Sequence, residues 1–167
     1  VLKSMNRKYS VESYLKIIEK LKSVREDMAF SSDFIVGFPG ETKQAFNNTL
    51  KLVEEVRYCQ AYSFKYSRRP GTPGSMLKGQ VAEDIKIDRL KELQNILNEQ
   101  QLNFNKEFVE KSFDVLLERK GKKENQLVGK SPYMQAVHVL TTEHKIGDIV
   151  KAFILNADKN SLEGNYI

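Results

Sequence analysis

The spacing of hydrophobic residues changes once along the chain, near Glu110. Before this point, apolar residues recur three or four positions apart or form short dense runs, which indicates alternating helices and strands. After it, apolar and polar residues alternate, which predicts strands. The pattern therefore predicts two unlike parts, an α/β part followed by an all-β part.

The first part is predicted to contain three helices and two strands. Ser10 and Thr42 are expected N-caps of the first two helices, because their hydroxyls can accept a backbone N–H bond. The first helix has an apolar face of Tyr14, Ile17, Ile18 and Leu21. The second helix is expected to turn Ala45, Phe46, Thr49, Leu50 and Val53 inward.

The strands of this part are predicted at residues 29–36 and 61–66, the first of them buried on both faces as in a parallel sheet. A loop is expected at residues 68–74, which hold two prolines and two glycines. A long helix follows from about Glu83 to Glu110. Its expected buried stripe consists of Ile85, Leu90, Leu93, Leu97 and Phe104.

The second part is predicted to be a small closed β-barrel. Strands are expected at residues 113–118, 133–139 and 148–155, with polar turns between them. Several short strands in so few residues favour closure, because a barrel leaves no exposed strand edge.

The first part alone is too small for a complete parallel-sheet domain. Two parallel strands would both be edge strands, and a (βα) barrel needs more of them. Residues 1–104 are therefore expected to be the C-terminal part of a barrel, and residues 105–167 the β-barrel. The chain also opens at Val1 in what looks like the middle of an element, so we expect a piece of a longer protein.

Composition favours a globular protein, with 40% hydrophobic and 29% charged residues among 167. No apolar run approaches the roughly 18 to 20 residues that span a bilayer, and the N-terminus does not resemble a signal peptide. A cytoplasmic, monomeric protein without a membrane partner is expected. The formal charge of +5 favours polyanions as partners.

Metal ligands are few in this sequence. Cys59 is the single cysteine, and His138 and His144 are the only imidazoles. No spacing among them is typical of a metal site, so no metal ligand is predicted within the chain.

Candidate binding residues follow the two predicted strands, because ligands of α/β folds bind beyond the carboxyl ends of strands. Asp33 lies in an apolar strand, where a buried carboxylate needs a partner: either ribose hydroxyls or a neighbouring cation. Gly37 and Gly40 either allow close approach of a planar ligand or form an ordinary turn. Arg68 and Arg69 either meet a phosphate or carboxylate or belong to a solvated loop.

Several stretches resemble the bacterial tRNA-2-methylthio-N6-dimethylallyladenosine synthases in order and spacing. They are Leu2-Lys-Ser-Met-Asn-Arg7, Ser32-Asp-Phe-Ile-Val-Gly-Phe-Pro-Gly-Glu-Thr42, Gln60-Ala-Tyr-Ser-Phe-Lys-Tyr-Ser-Arg-Arg-Pro-Gly-Thr-Pro73, Asn98-Glu-Gln-Gln101 and Gly129-Lys-Ser-Pro-Tyr-Met-Gln-Ala-Val-His138. The resemblance thus covers nearly the whole chain. It implies a radical-SAM barrel followed by a TRAM domain, a small β-barrel that binds RNA.

The resemblance also implies an activity, cofactors and roles for residues. The family attaches a methylthio group to carbon 2 of an isopentenylated adenosine beside the anticodon, using S-adenosylmethionine (SAM) and two 4Fe-4S clusters. By analogy with related enzymes, Arg7 binds the SAM carboxylate and Asp33 the ribose, while Gly37, Phe38 and Gly40 lie near the adenine. Arg68 and Arg69 become candidate contacts to the tRNA substrate.

In the tail, the resemblance favours RNA binding by the basic run of Arg119, Lys120, Lys122 and Lys123, which is otherwise a solvated hairpin tip. Tyr133 either stacks on an unpaired base or fills the barrel core.

The sequence departs from the family in one respect. The family holds its clusters with six cysteines in the N-terminal portion, and Cys59 is not one of them. The chain alone is therefore expected to be inactive, with the missing N-terminal half as a possible partner. The alternative is a non-catalytic RNA-binding protein that uses only the β-barrel tail.

Overall fold

The computed structural model describes all 167 residues, which form two compact units, Val1–Leu97 and Asn98–Ile167. The first unit is α/β and the second contains a closed β-barrel, so the predicted fold class is confirmed. The domain boundary after residue 104 stays a prediction. None of the helices is long and apolar enough to cross a membrane.

The first unit begins with a short 3₁₀ helix at Lys3–Met5. The following elements are α1 (Val11–Val24), β1 (Ser31–Val36), α2 (Lys43–Val56), β2 (Gln60–Lys65), α3 (Pro73–Met76) and the start of α4 (Glu83–Lys106). Strands β1 and β2 pair in parallel, with Asp33 opposite Tyr62. The short α3 begins inside the stretch predicted to be a loop, because Pro73 suits the first position of a helix.

Both predicted helix caps are confirmed. The Ser10 hydroxyl accepts the backbone N–H of Ser13, and the Ser13 side chain accepts from Ser10 in return, so a capping box starts α1. The Thr42 hydroxyl accepts the backbone N–H of Ala45 at 3.1 Å and starts α2. These bonds satisfy donors that a helix N-terminus otherwise leaves unpaired.

The helices of the first unit pack on one face of the two-stranded sheet. The buried core consists of Ile18, Phe34, Val36, Phe46, Val53, Val56, Tyr58, Leu93 and Leu97. The inward face predicted for α2 agrees with this core, since Phe46 and Val53 are buried.

The prediction that strand β1 is buried on both faces is wrong. Phe34 and Val36 are buried, whereas Ser31, Asp33 and Ile35 on the opposite face are exposed. The reason is that the sheet has only two strands, and helices cover one side of it. Three residues assigned to buried helix faces are also exposed: Ile17, Leu21 and Ile85.

The second unit is built on five strands, β3 (Ser112–Lys120), β4 (Gln126–Lys130), β5 (Ala136–Leu140), β6 (Ile149–Ala157) and β7 (Ser161–Tyr166). They close in the order β3-β4-β5-β7-β6, which confirms the predicted barrel. The core consists of Val115, Leu117, Val137, Val139, Val150, Ala152, Ile154 and Leu162.

Two strands of the barrel, β4 and β7, are absent from the sequence prediction. Each contains a glycine that interrupts the alternation of apolar and polar residues. A Cβ atom at Gly129 would lie 2.4 Å from the Leu116 carbonyl oxygen, and one at Gly164 would lie 2.5 Å from the Phe153 carbonyl oxygen. Close approach of neighbouring strands therefore requires glycine at both positions.

Candidate functional sites

A cleft of about 910 Å³ lies beside β1 in the first unit. Its walls come from the N-terminal segment, from β1 and from α2. Arg7 and Asp33 both line it, and both are exposed. The fold therefore brings together two residues that are 26 positions apart in the sequence.

The Asp33 carboxylate makes no hydrogen bond or ion pair with another residue of the chain, although its backbone pairs with β2. This corrects the expectation that a buried carboxylate would require a partner here. Asp33 points to the exposed face of β1, where water solvates the charge and no desolvation cost arises. Its two oxygens are thus available to a ligand in the cleft.

The loop after β1 is held by a buried ion pair. Gly37 and Gly40 adopt positive φ angles of 71° and 81°, which side-chain-bearing residues rarely adopt. The Gly37 N–H donates to Glu41 Oε1 at 2.9 Å, and Arg89 Nη1 donates to the same oxygen at 2.7 Å. The Glu41 side chain is only 4% exposed. Arg89 of α4 therefore fixes the turn through Glu41, an anchor that the sequence analysis did not detect.

A second cleft, of about 360 Å³, shares Met5 and Asn6 with the first. Phe38 and Arg69 line it, together with Tyr66. The Phe38 ring packs edge-on against Tyr66, with ring centres 5.1 Å apart. The Tyr66 hydroxyl is buried and has no hydrogen-bond partner, a costly state that a polar ligand or water relieves.

The two candidate arginines of the following loop are placed differently. Arg69 lines the second cleft, whereas Arg68 Nε donates to the Ser75 carbonyl oxygen at 2.9 Å and so stabilises the loop around α3. Lys65 at the end of β2 pairs with Glu83, as does Lys86. These two ammonium groups lower the pKa of the Glu83 carboxyl to about 2.

The single cysteine lies inside the first unit. The Cys59 thiol donates a hydrogen bond to the Phe30 carbonyl oxygen at 3.1 Å. Burial raises the pKa of this thiol, which keeps it protonated at neutral pH.

In the second unit, the basic run forms the end of β3 and the turn into β4. Arg119, Lys120, Lys122 and Lys123 are all exposed. The Gln126 side chain holds the turn, because its Oε1 accepts the backbone N–H of Lys122 at 3.1 Å and of Lys123 at 3.4 Å. The cationic side chains therefore project from an ordered hairpin.

Tyr133 lies among aromatic residues of the same unit. Its ring centre is 5.8 Å from that of Phe104 and 5.0 Å from that of Phe108. The ring is half-buried, so part of it remains accessible. Tyr133 thus packs against Phe104 and Phe108 and is not among the barrel-core residues, while its stacking on an unpaired base stays a prediction.

A buried asparagine, also missed in the sequence analysis, ties this region together. Asn105 donates to the carbonyl oxygens of Asp158 and Lys159 at 2.7 and 2.9 Å. Its Oδ1 accepts from the Gln135 amide at 2.8 Å. The Gln135 side chain in turn bonds the Ser131 hydroxyl, so the segment that carries Tyr133 is well anchored.

Comparison with known proteins finds a family model that matches part of each unit. Residues 1–53 match the radical SAM superfamily, and residues 106–167 match the TRAM domain. A tRNA-2-methylthio-N(6)-dimethylallyladenosine synthase from Wolbachia sp. subsp. Brugia malayi (strain TRS) is 55% identical over 166 residues, which are 98% of this chain and 38% of that protein. The synthase of Sphingopyxis alaskensis is 52% identical over 97% of the chain and 36% of its own length.

The chain is therefore similar to these synthases over nearly its whole length. It spans little more than a third of the length of the relatives it matches. The resemblance noted from the sequence motifs is therefore confirmed, as is the combination of a radical-SAM segment with a TRAM domain.

Radical-SAM proteins use SAM together with an iron–sulfur cluster, so both cofactors are implied for the family. The two clefts fit SAM, because Arg7, Asp33 and the unpaired Tyr66 hydroxyl offer polar groups to a ligand. The residues present do not fit a cluster, because thiolates are the usual ligands and Cys59 is the only cysteine.

Proposed function

We propose that this chain is the part of a cytoplasmic tRNA methylthiotransferase that binds SAM and tRNA. The whole enzyme would convert N6-isopentenyladenosine beside the anticodon to its 2-methylthio derivative. The observation that carries the proposal is the joint position of Arg7 and Asp33 in one cleft beside β1. An exposed cation and an exposed anion there match the carboxylate and ribose ends of SAM.

Each residue of the site has a distinct task. The Arg7 guanidinium would bind the carboxylate of SAM, and the Asp33 carboxylate would accept hydrogen bonds from the ribose hydroxyls. Gly37, Phe38 and Gly40 would place backbone atoms beside the adenine, in the turn that Glu41 and Arg89 hold rigid. Bound SAM would supply the group that removes hydrogen from the substrate.

The ligands of two 4Fe-4S clusters would come from residues outside this chain. Arg69, which lines the second cleft, is the better placed of the two loop arginines to meet the tRNA substrate. Arg68 would support the same surface through its bond to the Ser75 carbonyl. The chain alone would bind SAM weakly, because the cluster that chelates SAM is not part of it.

SAM binding by a completed protein tests this proposal. The chain would be joined to the portion of a Wolbachia relative that it does not match, the clusters reconstituted, and SAM affinity measured by equilibrium dialysis. Asp33→Ala should weaken binding roughly 10- to 100-fold, the usual value of hydrogen bonds to a charged group. Asp88→Ala removes an exposed carboxylate of α4 outside both clefts and is the control. Equal SAM affinity of Asp33→Ala and wild type would refute the ribose assignment.

A second function, RNA binding by the tail alone, has its own support in the ordered basic hairpin and the TRAM match. Arg119, Lys120, Lys122 and Lys123 would contact phosphates of an anticodon stem-loop. The accessible part of Tyr133 would contact an unpaired base. The test is a salt titration of stem-loop binding: replacing Lys120, Lys122 and Lys123 by Gln should weaken binding and make the slope of log affinity against log salt shallower by about 2 to 3. Superimposable titrations would refute it.

A further inference from the structure

The basic hairpin is built to hold its cations in one place. Besides accepting two N–H groups at its side-chain Oε1, Gln126 accepts the Gly121 N–H at its backbone carbonyl oxygen at 2.7 Å. A Cβ atom at Gly121 would lie 2.3 Å from Gln126 Oε1, so a larger residue at this position would displace the Gln126 side chain. Gln126 is buried although it is polar. The turn is therefore preorganised, which lowers the entropic cost of binding an anion.

A row of side chains continues from this hairpin across the outer wall of the barrel. Strand register places Arg119 opposite Val128, Val128 opposite His138, and His138 opposite Glu163. Val128 is only 2% exposed, so the other three residues form the accessible part of this row. His138 lies between the core residues Val137 and Val139, and Glu163 lies between the buried residues Leu162 and Gly164. Because side chains alternate along a strand, His138 and Glu163 both face outward.

The outer row combines several cations with one carboxylate. Lys123 Nζ reaches across to Glu163 Oε1 at 3.3 Å, so Glu163 is the counter-ion of the hairpin. Half-burial lowers the pKa of His138, as do the charges of Arg119, Lys123 and Lys122, while Glu163 acts in the opposite direction. The imidazole is thus neutral at pH 7 in a strongly cationic surrounding.

We propose that the RNA-binding surface of the tail extends from the hairpin over the outer barrel wall to His138. There, an RNA phosphate displaces Glu163 from Lys123 and accepts a hydrogen bond from the imidazole. This inference rests on the proposed RNA-binding function of the hairpin and adds His138 as a contact and Glu163 as a competitor.

Two consequences follow from the charges. Glu163 opposes RNA binding, because its carboxylate forms an ion pair with Lys123 and repels phosphate. Removing the charge of Glu163 should therefore strengthen RNA binding. A bound phosphate also favours the imidazolium form, which raises the pKa of His138 in the complex. RNA affinity should therefore be highest below the pKa that His138 has in the free protein. It should decline as pH rises through the pKa that His138 has in the complex.

The experiment measures binding of the full chain to a synthetic anticodon stem-loop RNA at constant salt between pH 5.5 and 7.5. Glu163→Gln should bind about two- to fivefold more tightly than wild type, the range expected for an exposed ion pair. Its control is Asp114→Asn, which changes the net charge equally but lies on β3 opposite Lys151, five residues before Arg119. Screening should leave this control close to wild type.

His138→Gln is the second variant, with His144→Gln as its control, since His144 contacts Tyr166 and Asp148 instead. As pH falls from 7.5 to 5.5, the RNA affinity of wild type and of His144→Gln should rise about tenfold, which corresponds to a rise of one unit in the pKa of His138 on binding. The affinity of His138→Gln should not rise in this way. Thermal unfolding of each variant verifies that the barrel is intact.

The outcomes separate the inference from the function on which it rests. If wild type shows no salt-dependent binding, or if the triple lysine variant matches it, the proposed RNA-binding function fails and the inference with it. If the lysine variant loses affinity but Glu163→Gln and His138→Gln each behave like their controls, only the inference is overturned. A stem-loop of DNA with the same sequence shows whether the row recognises phosphate alone or RNA.

Discussion

Replacing Asn105 by alanine should destabilise the second unit by about 3 kcal/mol. Asn105 is only 2% exposed, and its side chain makes three hydrogen bonds, two as donor to the carbonyl oxygens of Asp158 and Lys159 and one as acceptor from Gln135. Each such bond contributes about 1 kcal/mol net, and alanine offers no replacement. The loss would be a large fraction of the roughly 5 to 15 kcal/mol that stabilises a typical domain.

The assay is urea unfolding of the full chain, followed by hydrogen exchange of peptides from β6 and β7, which report on the barrel alone. Asn103→Ala is the matched control, because Asn103 lies on the same helix but is exposed. It should change the free energy of unfolding by less than about 0.5 kcal/mol.

Asn105→Asp provides a second test of the same contacts. It keeps the acceptor for Gln135 but places a carboxylate against two carbonyl oxygens, which disfavours the ionised form. The pKa of this carboxyl is therefore raised on folding. The destabilisation by Asn105→Asp should grow as pH rises through the pKa that the carboxyl has in the unfolded chain, and should diminish in acid. A loss below 1 kcal/mol for Asn105→Ala, or an effect of Asn105→Asp that does not depend on pH, would refute the importance of this network.

The remaining predictions concern close packing and thiol reactivity. Gly129→Ala should destabilise the barrel by roughly 1 to 3 kcal/mol in urea unfolding. The new Cβ would lie 2.4 Å from the Leu116 carbonyl oxygen, so the backbone would have to shift. Unchanged stability would contradict the tight β3–β4 contact. Cys59 should react with iodoacetamide more slowly in the native chain than in urea, measured by mass spectrometry at pH 8, because burial raises the pKa of its thiol. Equal rates would show that this part of the first unit opens freely.

Local features of the fold could be predicted from the sequence because they depend on near neighbours. The Ser10 and Thr42 caps bond residues three positions ahead, and both are confirmed. The change of hydrophobic period after Glu110 predicts an α/β part followed by a closed barrel, and both are present. The resemblance to the synthases also rests on short contiguous motifs, which the sequence displays directly.

Features that depend on distant neighbours were predicted less well. The apolar composition of β1 suggested burial on both faces, but burial depends on what packs against each side, and helices cover only one. Asp33 therefore needs no partner within the chain. Strands β4 and β7 contain glycines where neighbouring strands approach closely, a requirement that arises only after the barrel closes.

The residue pattern alone predicts the class of each part, the starts of α1 and α2, the resemblance to the synthases and the candidate binding residues. The folded chain, in contrast, places Arg7 and Asp33 in one cleft, holds the Gly37 turn to Arg89 through Glu41, and sets His138 opposite Glu163. Caps and periodicity depend on residues within a few positions of one another, whereas the neighbours in a cleft or across a barrel depend on strand register and chain closure.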